Sequence, residues 1–228
     1  MDLGAVKDAP TRALARGAVA AARNAQGLVA DAELLSGAGR LARAYSLAGL
    51  AVEEVGKAGS LATLAAMPEN LRARAPVGRM LAWHQLKLVK GTLTAAVPYG
   101  AGGRATGLVT MRPSKLAEVL DSAQEFARDM DRLKQRGLYV DVDRSGQIRE
   151  PSEVRVAEVR DQLDRARQAA AAADALLDPN ALHWLAEPTA DEVEFSRALV
   201  SAIGETGIAR SPEAAADVLR NTATKLRG

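Results

Sequence analysis

Residues 40–67 read RLARAYSLAGLAVEEVGKAGSLATLAAM, and this stretch decides the fold class. Leu41, Ala44, Leu47, Ala48, Ala51, Val55 and Leu61 recur mostly at three- and four-residue steps, the period of one helical face. Pro68 cannot donate to the helical ladder and stops the run. The sequence therefore predicts a long helix over about 40–67. Two features inside it are not simple packing. Glu53 and Lys57 stand four apart, so they share a face and read first as a surface ion pair. Gly56 costs about 1 kcal/mol relative to alanine inside a helix, and its missing side chain lets another backbone approach closely.

Working outward, Pro10-Thr11 opens an earlier helix whose apolar positions are Ala15, Val19, Ala22, Leu28, Val29 and Leu35. Gly37-Ala38-Gly39 breaks it. Downstream, a third helix follows Pro76 through Leu81, Leu88 and Leu93 to about Val97. Residues 99–107 are glycine-rich but adjoin no strand, so they read as a connection and not as a phosphate loop. A fourth helix spans about 113–137, where Gly137 suits its C-terminal end. Residues 138–142 alternate as a short extended piece, and Asp143, Ser145 and Gly146 form a turn. A fifth helix starts at Pro151-Ser152-Glu153 and runs to about 177. Its stretch over 160–175 is charged and then alanine-rich, and reads as a long exposed helix. Thr189 and Glu192 form a capping box for a sixth helix, and Ser211-Pro212 opens a last one. The expected architecture is all-α: an up-and-down bundle over 10–178 and a helical C-terminal extension over 188–228, packed on or next to it.

Composition narrows the functional classes. Hydrophobic residues make up 48% and aromatics only 3%, with alanine supplying much of the first figure. Alanine buries little area, so such a core needs close helix contacts and a partner subunit, which implies a homodimer. The absence of cysteine excludes disulfides, thiolate metal sites and a cysteine nucleophile. No apolar run reaches the roughly 18 residues that span a bilayer. Met1-Asp2-Leu3-Gly4 lacks a basic-then-apolar signal. The expectation is a cytoplasmic protein without a membrane partner.

The 30 basic and 28 acidic residues nearly cancel, so local charge carries more than the net +2. Between Glu69 and Lys90 lie Arg72, Arg74, Arg79, Lys87 and Lys90, with Glu69 the one acid. From charge alone this is a solvated basic face, with attraction of a polyanion such as RNA as the alternative. The same stretch holds Arg79-Met80-Leu81-Ala82-Trp83-His84. Histidine exchanges protons near neutral pH, and arginine holds a phosphate through paired N–H groups. Together they suffice for metal-free RNA cleavage. Five residues apart on one helix, their Cβ directions differ by about 140°. They converge only if Arg79 lies at the helix start or if two subunits share the site. His183, the other histidine, sits beside Trp184 and reads as packing. Two distant histidines make no zinc site, so neither metal nor cofactor is expected.

Asp31-Ala32-Glu33-Leu34-Leu35, Arg43-Ala44-Tyr45-Ser46-Leu47-Ala48, Glu53-Glu54-Val55-Gly56-Lys57 and His84-Gln85-Leu86-Lys87 resemble, in this order and spacing, the AbiV-type abortive-infection proteins of the HEPN superfamily. Arg136-Gly137-Leu138-Tyr139-Val140-Asp141, with Pro151 after it, is similar to the family's pattern past the fourth helix. The likeness spans roughly residues 10–178. It implies a HEPN bundle, commonly a two-fold dimer, and a role in defence against phage. By the family's arginine–histidine pattern, Arg79 would bind the scissile phosphate and His84 would act as acid or base in a metal-independent endoribonuclease. Glu53, Glu54, Lys57 and Lys87 would support the site or touch RNA. RNA and a phage-encoded protein trigger are the implied partners, and no DNA sequence readout is expected. Met80 departs from the polar residue common after the arginine. A non-catalytic HEPN module that binds a phage or host protein therefore stands as the alternative.

Overall fold

The computed structural model describes residues 3–73, 145–149 and 154–190, with scattered positions over 75–142 and 193–197. A short helix α1 (Leu3–Lys7) leads into two long ones, α2 (Thr11–Gly37) and α3 (Leu41–Ala65). After α4 (Glu69–Arg72), Val77, Leu81, Lys87, Leu88 and Gly91 are helical, as are Ser122, Glu125 and Arg128 to Met130. A two-stranded hairpin pairs β1 (Asp141–Val142) antiparallel with β2 (Ile148–Arg149). The helix α5 (Val156–Ala172), a 3-10 turn (Asp174–Leu177) and α6 (Ala181–Ala186) follow. The molecule is all-α, as expected, and the hairpin falls where the sequence alternates and turns, with Gly146 at φ +81°. The ends of the third and fourth helices, the 99–107 connection and nearly all of the 188–228 extension lie outside the described residues.

The junction of α2 and α3 forms as the sequence predicts. Gly39 takes φ +70°, its N–H bonds to Ser36 O at 3.0 Å, and Arg40 N–H bonds to Leu35 O at 2.8 Å. This is the paired closure that satisfies the last carbonyls of a helix and turns the chain back. α3 is the central element. Of its 25 residues 18 are buried, against 8 of 27 in α2, so α3 is covered on every side. Its buried hydroxyls are satisfied locally, with Ser60 donating to Gly56 O at 2.9 Å and Thr63 to Gly59 O at 2.7 Å.

α2 faces α3 through Leu14, Ala15, Ala18, Ala21, Ala22, Ala25, Val29 and Ala32. This stripe is mostly alanine. Val19, Leu28 and Leu35, expected in the core, are only half-buried at its margin. Short side chains bring two backbones together, and the larger residues then fill the flanks.

Two expectations are corrected here. The fifth helix begins at Val156, not near Pro151, because Arg155 is still extended at φ −70°, ψ 147°. The Glu158 carboxylate accepts the Arg155 N–H at 2.8 Å and the Arg155 guanidinium at 2.8 Å, which closes the first turn. The Arg155 side chain holds the Glu158 carboxyl below its usual range. Nor is α5 a free-standing exposed helix. Val159, Gln162, Leu163, Ala166, Ala169 and Ala170 bury one face against α3 and α2. Leu138, in addition, is helical one residue past the expected end of the fourth helix.

Glycine permits the tightest approach. A Cβ at Gly56 would run into the carbonyl oxygen of Lys87, and one at Gly91 into the carbonyl oxygen of Val52. The helical segment of Lys87 and Gly91 thus lies antiparallel against α3, backbone to backbone. Gly56→Ala gains about 1 kcal/mol of helix propensity but must push two backbones apart, an overpacking cost of about 1–3 kcal/mol or more. The net expectation is destabilisation, read as a lower denaturation midpoint. Gly27→Ala, exposed on α2 with nothing within 4 Å, should instead stabilise by about 0.5–1 kcal/mol.

Candidate functional site

Four of the six site residues expected from sequence are described: Glu53, Glu54, Lys57 and Lys87. Arg79 and His84 lie outside the described residues. Glu53 occupies the buried middle of α3 and is 2% exposed. Its Oε2 lies 3.2 Å from Nζ of Lys87, whose side chain is only 11% exposed. Lys57 turns the other way and sits 3.2 Å from Glu54 Oε1, with both groups half-exposed.

The expected Glu53–Lys57 surface pair is therefore not formed. On a helix, Lys57 is reachable from both Glu53 and Glu54. Burial decides between them. A carboxylate held inside the bundle needs a cation inside it too. Lys87, brought close by the Gly56 contact, provides one. Sequence spacing carries no signal for a pair 34 positions apart.

The basic stretch over 69–90 is corrected as well. Its described members do not form a solvated face. Lys87 is held by Glu53, and Arg72 is 1% exposed. The Arg72 Nη2 lies 3.7 Å from Glu69 Oε1, while its Nε and Nη1 have no hydrogen-bond partner among the described residues. Sequence reasoning counted Arg72 in the solvated basic face, because arginine is rarely fully buried. His183, read as packing, is instead 72% exposed, with Nδ1 3.4 Å from Glu187 Oε1; its neighbour Trp184 does the packing.

Among the described residues, no group of three or more His, Cys, Asp or Glu is placed to hold a metal ion. No helix among them is long and apolar enough to cross a membrane.

A central, nearly fully buried helix carries one carboxylate inward, and a second helical segment is clamped to it by glycine contacts and an ion pair. This arrangement defines a helical bundle in which a charged residue of the core helix is joined to the helical segment of Lys87. Residues 13–171 match the HEPN_AbiV family, described as AbiV, over roughly seven-tenths of the chain. The chain belongs to that family. No curated protein and no solved structure matches it significantly.

The ion pair makes a defined prediction. Removing one partner of a buried pair leaves an uncompensated charge and costs about 3–5 kcal/mol, whereas replacing both with apolar residues of similar volume is often neutral. Lys87→Met alone should sharply lower stability in urea unfolding, and Glu53→Leu added to it should recover most of the loss.

Proposed function

We propose that this protein is a phage-defence ribonuclease that cleaves RNA without a metal ion or cofactor. In this reading His84 is the acid or base and Arg79 holds the scissile phosphate. The observation that carries it is the Glu53–Lys87 ion pair. Lys87 follows His84 by three residues in the sequence, so the clamp lies next in the chain to the motif. A buried ion pair is a poor device for stability alone but a good one for fixing register. Membership of the HEPN_AbiV family supports the same reading.

The chemistry needs few groups. The ribose 2′-oxygen attacks the adjacent phosphorus as a base takes its proton. The bond from phosphorus to the 5′-oxygen breaks, and an acid protonates that leaving oxygen. The products are a 2′,3′-cyclic phosphate and a 5′-hydroxyl. Histidine serves as base or acid near neutral pH, and arginine neutralises charge gathering on the phosphoryl oxygens. Two copies of the chain, as a homodimer, would bring two Arg79–His84 pairs to one cleft and cover more of the alanine-rich surface. Cleavage of cellular RNA in the cytoplasm would arrest translation when a phage-encoded protein triggers it. Met80 favours the second reading, a non-catalytic module that binds a phage or host protein.

The deciding measurement is cleavage of end-labelled RNA in EDTA. Wild-type protein should produce 2′,3′-cyclic phosphate ends, and His84→Ala should be slower by about 10²–10⁴-fold with unchanged helical content. Equal cleavage by His84→Ala would remove His84 from the chemistry. No cleavage by either, with or without phage lysate, would favour the non-catalytic module.

A further inference from the structure

Arg72 ends the short helix α4, and Met67, Ala75 and Val77 on either side of it in the chain are buried as it is. Its Nε and Nη1 are cut off from solvent and have no hydrogen-bond partner among the described residues. Its Nη2 lies 3.7 Å from Glu69 Oε1, but Glu69 is 89% exposed and its carboxylate is solvated. A cation placed like this carries most of its desolvation cost uncompensated. The next residue is held from outside. Lys7, the last residue of α1, donates from Nζ to Ala73 O at 3.2 Å, across 66 positions of sequence. That bond is exposed, so water competes for both groups and its net contribution is small. It also brings a second cation to the turn that encloses Arg72. Elsewhere α1 rests on the core through Val6, which is only half-buried.

We propose that α1 and α4 form a latch, which opens locally while the pairing of α2 with α3 stays intact. Closed, Lys7 holds the end of α4 and Arg72 is shut away from water. Open, Lys7 releases Ala73 O and the guanidinium becomes hydrated. The opening costs little, because hydration of Arg72 offsets the contacts that are lost. It stays local, because the alanine stripe of α2 against α3 includes neither short helix. The latch sits where the chain leaves α4, six positions ahead of Arg79. Its opening thus loosens the start of the stretch that leads to the arginine–histidine motif. An arginine that only held the fold together would behave in the opposite way, since its removal would weaken the closed form.

Hydrogen–deuterium exchange of the full-length chain, in buffer and in urea below the unfolding transition, tests the latch. In the closed form the N–H groups of Arg72, Ala73 and Ala75 bond to the carbonyls of Pro68, Glu69 and Arg72. These amides should exchange faster than those in the middle of α3, and their rates should barely respond to urea, as expected when little surface is exposed. Arg72→Met keeps the length of the side chain and removes its charge. It should slow exchange at α4 by about tenfold or more and raise the thermal midpoint. Lys7→Met, a change outside the core, should speed exchange at α4 about two- to tenfold, the worth of one hydrogen bond. The latch is refuted if the α4 amides exchange as slowly as those of α3 with the same urea dependence. It is refuted equally if Arg72→Met speeds exchange or fails to fold, or if Lys7→Met leaves exchange at α4 unchanged.

Discussion

The structure depends on the contact at Gly56, where the backbone of α3 meets the backbone around Lys87 with no side chain between them. A helix covered on every side must accept neighbours at several angles, and side chains of ordinary size would hold some of them off. Gly56 and Gly91 remove that obstacle on one flank of α3. Alanines do so on the flank that meets α2. Close approach also sets the electrostatics. Once Glu53 is enclosed, its charge must be balanced from within, and the segment that Gly56 admits carries the lysine that does it.

An alanine-rich core distributes its stabilisation thinly. Each buried methyl removes little apolar surface from water, so cohesion comes from many short-range contacts and high packing density. Surface links between elements add less. Arg167 on α5 joins Glu33 on α2 at 2.6 Å and Asp164 at 2.7 Å, but exposed pairs of this kind are worth about 0–1 kcal/mol. Of the two, only the Arg167–Glu33 pair links α5 to α2; Asp164 lies on α5 itself.

Charge is gathered in two places with different surroundings. At the centre, Glu53 and Lys87 are buried and fix one helical segment against another, next in sequence to the arginine–histidine motif. At the edge, Arg12 and Arg16 are exposed in a cleft. Burial separates the two roles. A desolvated pair neutralises itself, whereas exposed cations stay solvated.

The helices of this chain were legible in its sequence because their signals are local. Pro10, the Gly37–Gly39 break and Pro68 mark the ends of the long helices almost to the residue, and the family resemblance over the front of the chain rests on short motifs in order. The sequence by itself thus determined an all-α bundle and its kinship. It did not determine which partner Glu53 takes, that Arg72 is enclosed, that α5 is half-buried, or that His183 faces water beside two arginines of α2. Each of these turns on which surfaces meet after the helices have formed. A helical period says which residues share a face, but only packing decides what that face meets, and burial then decides which charges must be paired and which remain free to bind.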